Sequence, residues 1–317
     1  MRSYTNVLHG WGAWDDGQVS TATLETTFRP RTRPSFTGAV RSELLKIRRQ
    51  AMTWVLLALV AVVTAVALGE LVAGGRSSFD GHPAVFYFTY LAVALAIFTV
   101  FSGIFLLAVT SRLVGMEYTA GTVRIVLARG TARLQLLAAQ LVAVAVWGLA
   151  LLAGYVVVAG VVLGVTVRAW AGSLSPLTSL PAPARTDAWI CLLVALVSMG
   201  VCILLATAAG AVGRSLPFAM GAALAFFPAD NFGAIVMRLL GRATHNDHFW
   251  SSITQWFLGP SLNALASGLQ TDHSTPTFLP TPLVAVTAGH LWAVIGVWSL
   301  VFAAAAVVLT WRRDVLE

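Results

Sequence analysis

Residues 36–50 read FTGAVRSELLKIRRQ, and residues 51–71 continue AMTWVLLALVAVVTAVALGEL. The first stretch places Phe36, Val40, Leu44 and Ile47 at i, i+4, i+8 and i+11, one stripe of a helix. Arg41, Lys46, Arg48 and Arg49 crowd around that stripe, and Ser35 stands where a side-chain cap belongs. The second stretch has a length and apolarity that suit a membrane crossing, which needs roughly 20 such residues. A basic amphipathic helix that runs into a span is expected to lie in the headgroup plane. This pair of segments sets the class: an all-α integral membrane protein.

The rest of the chain agrees. Of its 317 residues, 58% are hydrophobic and only 10% charged, and mean hydropathy is +0.81. A soluble domain of this size cannot hide so much apolar side chain behind a polar skin. The same numbers exclude a disordered chain. Six spans are expected, near 52–71, 86–110, 134–165, 188–212, 216–240 and 288–311. Residues 1–35, ending in the Arg-Pro-rich run 29–34, read as a disordered tail, and 36–317 as one six-helix transmembrane domain. Gly160/Gly164, Ala206/Gly210 and Ala209/Gly213 carry the small-residue spacing that lets helices approach closely.

Charge sets the expected orientation. The chain has 20 Lys and Arg against 13 Asp and Glu, a formal +7, with a pI near 10.2. A basic pI can mean a nucleic-acid partner, but here the arginines follow the loops. With both termini in the cytoplasm, 15 of the 20 basic side chains fall inside, in segments 1–51, 111–133, 213–215 and 312–317. The reading is therefore membrane lipid as a partner and no nucleic acid.

Chemistry is sparse. The phosphate-binding loop GxxxxGK[ST] needs a lysine that reaches the phosphates; the only lysine is Lys46, followed by Ile47. No catalytic residue is expected, and no metal: His245, Asp247 and His248 read as exposed loop. Cys191 and Cys202, about 16 Å apart along a helix, are too distant for a disulfide. In the fifth span, Pro228 and Asp230 interrupt an apolar run. Either the span ends near Pro228 at the outer interface, or Asp230 faces a polar path. The outer loop 241–287 carries Phe249, Trp250, Trp256 and Phe257, suited to short re-entrant or surface helices. Asp230 and Trp256 are the candidate pathway or outer-gate residues.

The inner loop 111–133 is the richest segment. Thr122 suits the cap of a short helix over 123–129, which Gly130 stops. Glu117 stands at the end of the second span, and Arg133 at the start of the third.

These features resemble an ABC-2 type permease, the membrane subunit of an ATP-binding-cassette transporter, over residues 36–317. Glu117, Gly121, Thr122, Arg124, Leu127 and Arg133 match the family's order and spacing after its second span. Helix 36–50 resembles the family's elbow helix, residues 256–260 its outer segment, and 311–316 its basic-Asp ending. The family often has Pro near Gly130-Thr131 and Lys where Gln140 stands. The resemblance implies a type V exporter fold with six spans and an elbow helix. It implies a coupling element at Glu117, Gly121, Thr122, Arg124, Leu127, Arg129 and Arg133, and an elbow with Arg41, Lys46, Arg48 and Arg49. It implies a second permease subunit, alike or different, and a separate ATPase subunit in two copies. ATP and Mg would be bound by that ATPase and not by this chain. The apolar spans suit a hydrophobic or amphipathic cargo such as a drug, lipid or peptide, exported across a bacterial inner membrane. Two other classes fit the composition: a non-transporting membrane interaction or sensor protein, and a gradient-driven carrier using Asp230.

Overall fold

The computed structural model describes residues 35–119, 132–180, 182–270 and 278–312. Among them the chain is helical, with no strand. The order is α1 (Phe36–Arg49), α2 (Ala51–Gly81), α3 (Pro83–Thr119), α4 (Arg133–Ala171), the single turn α5 (Ser175–Thr178), α6 (Ala182–Gly213), α7 (Leu216–Thr244), α8 (Asp247–Ile253), a 3₁₀ turn (Thr254–Trp256), α9 (Leu258–Leu269) and α10 (Ala288–Arg312). The expected tail 1–35 lies outside the described residues apart from Ser35, whose hydroxyl accepts from Gly38 N at 3.1 Å and caps α1.

Six helices are long and apolar enough to cross a membrane: α2, α3, α4, α6, α7 and α10. Their burial separates them into two sets. The most apolar windows of α3 and α6 are 56% and 61% buried, against 11–28% for the other four. α3 and α6 therefore form the inner pair, and the other four present apolar faces outward, as spans in lipid must. α6 packs on α3 and α10, and α7 packs on both α3 and α6. Gly210 makes the α3–α6 approach possible: a Cβ there would stand 2.7 Å from Val114 Cγ1. A Cβ on Gly160 or Gly164 would meet nothing within 4 Å among the described residues.

Several boundaries differ from the sequence reading. The second span runs on to Thr119, so the start of the 111–133 segment is a helical extension, not loop. The fifth span does not end at Pro228; α7 continues to Thr244 with Pro228 inside it. Proline removes one backbone donor, and the neighbouring intrahelical bonds carry the helix past it. The outer segment begins only after Thr244 and holds α8 and α9.

At the end of the bundle where α2 meets α3, Phe79, Phe86 and Trp170 form an aromatic knot with centroids 5.3–5.8 Å apart. Tyrosines tie the spans together across it. Tyr90 donates to Ala159 O at 2.7 Å, and Tyr155 donates to Ala94 O at 2.8 Å.

Candidate functional site

The first candidate lies at the end of the bundle where α2 begins and α3 ends. α1 buries Glu43 and Ile47, and Lys46 Nζ donates to Glu43 Oε1 at 2.6 Å. The last turn of α1 leaves carbonyls without intrahelical donors. Ile47 O accepts from Gln50 N at 3.2 Å and also from Thr53 Oγ1 at 2.9 Å; Trp54 Nε1 donates to Arg48 O at 2.9 Å. These bonds fix the corner between α1 and α2. α1 then packs along α4, the helix that opens with Arg133.

The α6–α7 turn leans on the same region. Arg214 takes a left-handed φ of 49° in that turn. Ser111 Oγ donates to Ala219 O at 3.2 Å. A Cβ on Gly115 would stand 3.0 Å from Leu216 Cα. Gly115 was not singled out by the sequence, although a glycine two residues before Glu117 on an apolar span was the available signal. Of the expected coupling residues, Glu117 lies in the last turns of α3 and Arg133 at the first position of α4, half-buried. Gly121, Thr122, Arg124, Leu127 and Arg129 lie outside the described residues, as does the short helix expected over 123–129. Arg41, Lys46, Arg48 and Arg49 are all exposed on α1.

The second candidate is a polar cluster around α7 and α9. Phe257, the N-cap position of α9, supplies no side-chain acceptor. Asp230 supplies it from another helix: its Oδ2 accepts from Gly259 N. A carboxylate at a helix N-terminus satisfies an orphan donor and complements the helix dipole. Asn231 Nδ2 donates to Phe227 O at 2.9 Å. Asn263 Nδ2 donates to Asn231 Oδ1 and to Pro280 O, both at 2.8 Å. Gly259 must be small here, because a Cβ would stand 2.6 Å from Asn231 Nδ2. On its other side the same segment is tied to α10. Trp298 Nε1 donates to Trp256 O at 3.2 Å, and His290 Nε2 is 3.1 Å from Gln255 O.

Below this cluster runs an apolar groove of about 630 Å³ between α3, α6, α7 and α9. Leu107, Phe227, Phe232 and Leu262 are among its walls, with Asn231 and Asn263 as its polar end. Asp230 and Trp256 are not among its lining residues. Asp230 is turned to α9, and the Trp256 ring lies exposed against His290, centroids 4.9 Å apart. His245, Asp247 and His248 are exposed, and no group of metal-ligating side chains gathers among the described residues. Cys191 and Cys202 are free and buried.

Six apolar spans, an amphipathic entry helix and an apolar groove with a small polar end define a multi-pass membrane protein. The family model described as ABC-2 family transporter protein matches residues 39–240, from within α1 to the last turns of α7, and the chain belongs to that family. No curated protein matches it. Membership makes the chain a permease of the ABC transporter class.

Proposed function

We propose that this chain is the permease half of an ATP-driven exporter whose hydrolytic subunit is a separate protein. The observation that carries the reading is the pairing of an ABC-2 body with a single lysine. Lys46 sits in α1 beside Glu43, so no segment offers the lysine of a phosphate-binding loop. ATP and Mg then bind a partner ATPase, two copies of which serve two permease subunits, alike or different. The segment 117–133, with Glu117, Gly121, Thr122, Arg124, Leu127, Arg129 and Arg133, rests on that ATPase. Closure of the ATPase pair pushes on the α3 extension, and the contact of Gly115 with the α6–α7 turn passes the movement to α7.

The groove favours a cargo with a large apolar part and a small uncharged polar group. Its walls are hydrocarbon, and carboxamides form its polar end. Asp230 and Trp256 serve the outer side by holding the α8–α9 segment over the groove. Both termini lie in the cytoplasm of a bacterial cell, with the body in the inner membrane.

Affinity purification of the tagged chain from its native membrane in mild detergent, followed by mass spectrometry, tests the reading. A stoichiometric partner carrying GxxxxGK[ST] is the expected result. A monodisperse preparation without one would overturn it. In the purified complex, Glu117→Ala or Arg124→Glu is expected to leave assembly intact while separating ATP hydrolysis from transport. Unchanged coupling in both variants counts against the assigned loop.

A further inference from the structure

We propose that the outward face of α1 is a binding site for anionic phospholipid headgroups. The face is defined by what the helix buries. Glu43 and Ile47 point into the body, and Lys46 is held by Glu43. The other basic side chains stand on the opposite side. Arg41 and Arg48 are seven residues apart, which places them on one face about 10.5 Å from each other along the axis. Arg49 flanks them. All three are exposed and have no carboxylate partner among the described residues. Three neighbouring guanidinium groups without a counter-charge repel one another unless an anion lies between them.

The surroundings identify the anion's carrier. Leu45, 43% exposed, sits between Arg41 and Arg48 on this face. Trp54, 54% exposed, is bonded through its indole to the Arg48 carbonyl. From Trp54 the outward stripe continues down α2 through Val55, Leu59 and Val62, all exposed. The arginines therefore stand at the head of an apolar surface that acyl chains match. A soluble acidic protein would meet the charges but leave that stripe unmatched; a phospholipid matches both.

The test uses the full chain, delipidated in detergent and titrated with phosphatidylglycerol or phosphatidylcholine, with bound lipid counted by native mass spectrometry. The wild-type chain is expected to retain phosphatidylglycerol preferentially. Combined Arg41→Gln, Arg48→Gln and Arg49→Gln substitution is expected to weaken that retention about fivefold per arginine, on the basis of about 1 kcal/mol per basic side chain near an anionic surface. The triple lysine variant should keep most of it. Size-exclusion profiles show whether the exposed substitutions leave the fold intact. Equal retention of the two lipids by the wild-type chain would overturn the proposal. So would a glutamine variant that keeps its lipid preference but loses a co-purifying ATPase, since the face would then be a protein dock.

Discussion

Asp230 illustrates how one side chain changes meaning once its neighbours are known. An Asp in an apolar span suggests ion coupling, yet its carboxylate caps α9 at Gly259 N. Asp230→Ala is expected to destabilise the outer segment by about 1–2 kcal/mol, the scale of a lost helix cap. Thermal unfolding in detergent checks this, and Asp230→Asn, which keeps an acceptor, should lose less. Two glycines make a matched pair. A Cβ on Gly148 would press on Met199 Cε at 2.7 Å, a flexible tip, whereas one on Gly115 would press on the Leu216 backbone at 3.0 Å. Gly148→Ala should therefore cost under about 1 kcal/mol, and Gly115→Ala about 1–3 kcal/mol, because backbone cannot step aside. Equal thermal shifts for the two would show that the α6–α7 turn is not seated on α3.

Among the elements, α7 departs furthest from a plain span. Pro228 leaves the Leu224 carbonyl without its usual intrahelical donor. Asn231 adds a side-chain bond to the Phe227 carbonyl one turn away, and the groove opens on the same side. Pro228→Ala restores the backbone donor. It is expected to raise the unfolding temperature while lowering transport in reconstituted vesicles, because an unbroken hydrogen-bond ladder stiffens α7 where it lines the groove. A variant that gains stability with unchanged transport would show that the missing backbone bond has no part in the cycle. α1 is a simpler element: its helix, its basic residues and its Ser35 cap were legible locally, since each depends on neighbours within two turns, whereas the exposure of Phe36 and the burial of Glu43 were not.

For the whole molecule, the arrangement of spans predicts sidedness. With Cys191 and Cys202 buried, single introduced cysteines report topology against a quiet background. Arg214→Cys, in the α6–α7 turn, is expected to react with an impermeant thiol reagent only after the cytoplasmic side is opened. His245→Cys, past the end of α7, should react in intact cells. The reverse pattern would invert the orientation drawn from the arginine distribution.

Local sequence determined a multi-pass membrane protein, six helices long and apolar enough to cross, and a basic amphipathic helix ahead of the first. Those properties follow from local hydropathy and helical period, which neighbouring residues set. The tertiary structure alone decided that α3 and α6 form the inner pair, that α7 passes through Pro228, and that Asp230 serves α9 rather than the groove. Asp230 and Gly259, Asn231 and Asn263, and Ser111 and Ala219 are joined across 29, 32 and 108 residues. A polar side chain in an apolar span must find a partner, but which partner it finds depends on how the helices pack.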